Sequence, residues 1–158
     1  MASFMACNTK EKEPENITIL EQETDSVVVE ETKLSFNPES KLYVWKSSPD
    51  YTKTKNPQLS NNMLNADSLI KGLNELNENV LLQKIKISGD TVYTEIKNSQ
   101  FLTESMGSTG AEMYVADVVL NLTEVPGIKY VNIQLVEGSH MQPGTWAKDN
   151  FKKFKPIN

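Results

Sequence analysis

Lys84-Ile85-Lys86-Ile87-Ser88-Gly89-Asp90-Thr91-Val92-Tyr93-Thr94-Glu95-Ile96 is the stretch on which the fold turns. Ile85 and Ile87 alternate with Lys84 and Lys86, and Val92, Thr94 and Ile96 alternate with Tyr93 and Glu95. A period of two sends successive side chains to opposite faces of a pleated strand. Gly89-Asp90 between the two runs is a two-residue connection of the kind that matches strand twist. The stretch therefore predicts a β-hairpin, each strand with one face for a core and one for solvent or a partner.

Upstream, Leu42-Tyr43-Val44-Trp45 predicts a first strand, bounded by Pro38 and by the turn cluster Ser47-Ser48-Pro49-Asp50. Tyr51 to Asn62 is polar with Pro57 inside it and reads as a loop. Met63, Ala66, Leu69, Ile70, Leu73 and Leu76 then recur at three- and four-residue steps, the stripe of an amphipathic helix. Asn61, Asn62 or Asn65 can cap it. Gly72 weakens it by about 1 kcal/mol relative to alanine, unless a close neighbour needs the space.

Downstream, Ser99 to Gly110 reads as a loop anchored by Phe101 and Leu102. Thr109 and Glu112 have the spacing of a capping box. The helix it opens has Ala111, Val115, Val118, Leu122 and Val125 as its buried stripe and Asp117, Asn121 and Glu124 as its wet side. Pro126-Gly127 stops it. Tyr130 to Val136 predicts a strand with Val131, Ile133 and Leu135 on one face and Tyr130, Asn132 and Gln134 on the other. Trp146, Phe151 and Phe154 space out a closing element in the tail. The order β-α-β-β-α-β predicts an α+β fold, a two-layer sandwich with both helices on one face of a small sheet.

At 158 residues the chain has room for one domain with a real core. Of its 21 acids and 16 lysines, eight and three fall between Asn8 and Ser35, which leaves 13 of each elsewhere. The acidic segment has too little apolar surface to offset chain entropy and reads as a tether over residues 1–25. Residues 26–158 then form the domain, with its core at about 41–155 and an edge strand expected in Ser26–Phe36. Arginine is absent and no lysine patch replaces it, so nucleic acid is not an expected partner. The net charge of -5 argues against direct attraction to an anionic membrane surface. Phe4-Met5-Ala6-Cys7 is similar to the cleavage region of a bacterial lipoprotein signal, though the basic start and most of the apolar segment are missing. That similarity makes Cys7 the lipid-attachment candidate, and a lipid there the expected membrane contact. A free cysteine in a frayed tail is the plainer alternative.

Catalytic chemistry finds few candidates. His140 is the only histidine, Cys7 the only cysteine, and they lie at opposite ends of the chain. Phosphate-binding, dinucleotide, nucleophile-elbow and calcium-loop patterns are missing from the sequence. Gly107-Ser108-Thr109-Gly110 precedes a helix and suits capping better than an anion. No catalytic, cofactor-binding or metal-binding residue is expected. Tyr43, Trp45, Tyr93 and Tyr130 are strand aromatics that either pack and pair across strands or share a partner-binding face. With Glu95, Asn132 and Gln134 they are the candidate contact residues.

The stretch from Ile85 to Gly138 resembles the GerMN domain family of sporulation and spore germination. The matching pieces are Ile87-Ser88-Gly89-Asp90-Thr91-Val92-Tyr93, Phe101, Gly107-Ser108-Thr109-Gly110-Ala111-Glu112, and above all Leu122-Thr123-Glu124-Val125-Pro126-Gly127-Ile128-Lys129-Tyr130-Val131. The resemblance implies a fold similar to ring-building-motif domains and a place outside the cytoplasmic membrane, often as a lipoprotein. It also implies no catalytic activity. Two expectations follow: an envelope scaffold that pairs with itself or another envelope protein, or a receptor for a small ligand or cell-wall glycan. The second would use the aromatics with the polar loops Tyr51–Asn62 and Ser99–Gly110, and requires a concave pocket lined by Trp45, Tyr93 or Tyr130.

Overall fold

In the computed structural model, which describes residues 36–157, the hairpin forms where alternation places it. Strands β1 (Trp45–Ser47) and β2 (Thr52–Lys55) come first, then helix α1 (Ala66–Leu76), the hairpin β3 (Gln83–Ser88) and β4 (Thr91–Ile96), and helix α2 (Gly107–Leu122). Strands β5 (Tyr130–Leu135), β6 (Gly144–Ala147) and β7 (Lys155–Ile157) complete the order. The fold is α+β, as expected. Cys7, the tether and the strand expected before Phe36 lie outside the described residues.

One sheet runs β3-β4-β5-β6, with β4 and β5 parallel and the outer pairs antiparallel. Gly89 turns the hairpin with φ +60°, a conformation that suits a residue without a Cβ. Val92, Thr94, Ile96, Val131 and Ile133 are buried on the inner face, in one core with Leu69, Leu73, Val115 and Val118 of the helices. The expected core role of Ile85 and Ile87 fails: they are 44% and 48% exposed. β3 is an edge strand whose register shifts between Lys84 and Lys86, and α1 reaches it through the Asp67–Lys84 ion pair.

The single expected sheet is in fact two. β1, β2 and β7 form a separate three-stranded sheet, with β1 and β2 antiparallel and β7 parallel to β2. β1 starts at Trp45 rather than Leu42, because side chains claim the preceding backbone. Asn56 Nδ2 donates to the carbonyls of Lys41 and Tyr43 at 2.8 and 2.9 Å. Asn121 Oδ1 accepts from the Val44 and Trp45 N–H groups at 2.6 and 3.0 Å, and its Nδ2 donates to the Trp45 and Asp117 carbonyls at 2.8 and 2.7 Å. β2 is Thr-Lys-Thr-Lys inside the expected loop. It has no apolar residue for a hydropathy pattern to find.

Helix α2 therefore has cover on two sides. Ala111, Val115, Val118 and Leu122 are buried as expected, but Asn121 is also fully buried and Asp117 is largely withdrawn from water. The supposed wet side faces β1. The capping box is not formed either: α2 starts at Gly107, with φ +75°, straight after a π-helical turn over Phe101–Ser105. That turn replaces the expected loop, burying Leu102 and leaving Phe101 exposed.

At α1, Asn65 is the cap, its Oδ1 accepting from the Ser68 N–H at 2.9 Å. Gly72 has the close neighbour its presence requires: a Cβ there would collide with the Leu42 carbonyl oxygen. Gly72→Ala should lower unfolding stability by about 2 kcal/mol despite the better helix propensity, because backbone must move. Asn121→Ala should cost about 3 kcal/mol or more, since it leaves buried backbone groups of Val44 and Trp45 without partners. Denaturant unfolding of each variant checks both values.

Candidate functional site

Among the described residues no helix lies on the outer face of the four-stranded sheet, and register lays out its rows. Tyr93 stands beside Asn132, Thr91 beside Tyr130, and Glu95 beside Gln134. Lys86 lies opposite Tyr93 on one side and Thr145 opposite Asn132 on the other. Five expected contact residues, Tyr93, Glu95, Tyr130, Asn132 and Gln134, thus come together on one face. Tyr130 is 42% exposed at one end of it. Lys86 Nζ sits 5.1 Å from the Tyr93 ring centroid, and Asn132 Nδ2 donates to Thr145 Oγ1 at 2.8 Å. Asn132 Oδ1 is buried with no hydrogen-bond partner among the described residues.

Tyr43 and Trp45 do not join this face. Trp45 lies in the three-stranded sheet and Tyr43 precedes it, so the four aromatics do not share one surface. The Trp45 indole instead donates from Nε1 to Glu124 Oε1 at 3.1 Å. Lys53 Nζ and Lys55 Nζ stand 4.8 and 5.8 Å from its ring. Lys148 pairs with the same Glu124 carboxylate. The structure thus assembles a lysine cluster that sequence order concealed, since residues 53–55 and 148 are far apart in the chain. The alternation of Thr52-Lys53-Thr54-Lys55 was the available signal for half of it.

Beneath β1, Asp117 Oδ1 accepts from the Ser47 N–H at 2.7 Å. Burial pushes its pKa up to about 6, against the opposing pull of Ser47 and Lys46. Burial, and then the nearby Asp117 charge, also raise the Tyr114 phenol. Its hydroxyl has no partner among the described residues.

A shallow cavity of about 520 Å³ is lined by Gly138 through Trp146, and another of about 320 Å³ lies between Lys97–Gln100 and Val136–Glu137. Neither is lined by Trp45, Tyr93 or Tyr130, the aromatics expected of a receptor pocket, while the second takes Ser99, Gln100, Thr103 and Glu104 from the Ser99–Gly110 segment expected to serve one. His140 is tied to its neighbours, its N–H donating to the Thr103 carbonyl at 2.9 Å and its Nδ1 3.1 Å from Ser108 Oγ. Among the described residues no three His, Cys, Asp or Glu side chains group as metal ligands would. No described helix is long and apolar enough to cross a membrane.

Two sheets joined through one buried helix, with a polar and aromatic sheet face that no described helix covers, define the class: an α+β domain of two sheets around a shared helix. The chain belongs to the Germane family, described as sporulation and spore germination, whose family model matches residues 37–142. β6 and β7 lie beyond that match. Neither a search of curated proteins nor one of solved structures finds a match.

Asp117 sets a pH signature. Between about pH 4 and 6 the folded chain holds a proton there that an unfolded aspartate, with an ordinary pKa near 3.9, has released. Stability therefore falls as pH rises through that window, by roughly 2 kcal/mol, and stays lower above it. Asp117→Asn should flatten that part of the profile and raise the melting temperature at pH 7. Thermal melts from pH 4 to 8 check it.

Proposed function

We propose that this chain is a non-enzymatic interaction domain acting outside the cytoplasmic membrane, anchored there by a lipid on Cys7, and pairing with itself or with another envelope protein. The face of the four-stranded sheet that no described helix covers carries the reading. Tyr93 and Tyr130 supply rigid apolar area with a polar tip, and Asn132, Gln134 and Glu95 surround them with hydrogen-bonding groups, a composition typical of protein contacts. The family's description, sporulation and spore germination, fits a role in building an envelope structure. The Phe4-Met5-Ala6-Cys7 pattern supports the anchor.

Sedimentation velocity on the full-length chain over a wide concentration range tests the pairing. Reversible association is expected, with Tyr93→Ser/Tyr130→Glu abolishing it. A ring would require a head-to-tail contact whose rotation closes. A chain that stays monomeric at every concentration and captures no envelope protein would overturn the reading. Cys7→Ser should release the protein from the membrane fraction, and unchanged fractionation would remove the anchor.

A further inference from the structure

The small sheet holds a group that the sheet-face reading does not use. Lys53 is 8% exposed, and among the described residues neither it nor Lys55 makes an ion pair. The two stand over one indole, and among the described residues the carboxylate bonded to that indole, Glu124, is already shared by Lys148 and the indole N–H. Burial, then the nearby Lys148 charge, lower the Lys53 pKa; Glu124 opposes them and Lys155 adds to them. Like charges gathered around a single counter-charge repel one another until an anion arrives. We propose that Lys53, Lys55 and Lys148, gathered around Trp45, form a binding site for the phosphate groups of a flexible phosphodiester polymer that carries no bases.

Three features select that chemistry. Lysine is a compact point charge without the planar fork that pairs with a carboxylate through two parallel bonds, so it suits tetrahedral phosphate oxygens. Lys53 and Lys55 stand over the Trp45 ring, which leaves it unsuited as a stacking platform for nucleobases. Neither cavity described above is lined by these lysines, and their charges run along a strand and across to Lys148, which fits a chain of repeating charges better than one small anion. Glu124 positions Lys148 and the indole rather than meeting the ligand.

The experiment titrates the full-length chain with fluorescent poly(glycerol phosphate), with oligo-dT and poly-L-glutamate as comparison polymers. Poly(glycerol phosphate) should bind best, with a log–log salt dependence of about -2, as for three lysines on a single strand. Lys53→Gln/Lys55→Gln should weaken binding about thirtyfold. Lys55→Gln/Lys148→Gln should do the same with Lys53 left in its packing. Lys71→Gln/Lys129→Gln, which removes equal charge elsewhere, should leave affinity unchanged. No binding at low salt, or equal losses from the Lys71/Lys129 pair, would overturn the site. Oligo-dT or poly-L-glutamate binding as tightly would overturn the ligand class. The outcome is independent of the sheet-face reading, because Tyr93→Ser/Tyr130→Glu should bind the polymer normally.

Discussion

Everything in this architecture depends on the carboxamide of Asn121. It is fully buried and makes four hydrogen bonds, three to the backbone of Val44 and Trp45 and one to its own helix. An amide side chain has the donor and acceptor of a peptide group, so Asn121 acts as a one-residue strand neighbour projecting from a helix. It seats the start of β1 on α2 without leaving a buried peptide group unpaired, which a purely apolar helix face does not do. Asp117 repeats the device one turn earlier with the Ser47 N–H. The two sheets therefore share α2 as a common wall.

The same economy recurs elsewhere. Asn56 satisfies the carbonyls of Lys41 and Tyr43, and Asn74 holds both backbone groups of Leu82, donating at 2.9 Å and accepting at 2.8 Å. In each case irregular backbone lies close to the core, and asparagine supplies the partner that regular structure would have supplied. Local pattern reading misses this because the partners lie across the fold. On composition alone Asn121 and Asp117 belong on a wet face, and only the arrival of β1 reverses that. Elements whose identity is local were legible: the Gly89-Asp90 hairpin, the stripe of α1 from Ala66 onward, the apolar stripe of α2 as far as Leu122 and the alternation of β5, while Met63 and Val125 fall outside the helices they were expected to join. The strands β2 and β7 were not, because short strands with little apolar pattern are made by their pairing rather than by their own hydropathy, whereas β6 falls in the closing element expected around Trp146. Of the candidate contact residues, register in β4 and β5 was enough to bring five together, while Tyr43 and Trp45 were misplaced along with the first strand.

Charge shows the same division between what is local and what the fold assembles. Outside Asn8–Ser35 the lysines and acids balance, and a linear reading finds no patch. Folding brings β2 and the segment after β6 together, so that lysines meet around Trp45 while acids pair off elsewhere, as in Asp67 with Lys84 and Glu112 with Lys153. A neutral domain thereby acquires a directional field, felt within about a Debye length of the small sheet.

The parallel pairing of β2 with β7 has a consequence for synthesis. Thr52 stands opposite Lys155, so roughly a hundred residues of chain separate the two partners. A nascent chain exposes the β1–β2 hairpin long before its third strand is made, and that open edge waits while the intervening residues are synthesised. Lys53 and Lys55 along it are the residues that discourage two exposed edges from pairing. During that interval their charges disfavour contact between the open edges of neighbouring unfinished chains.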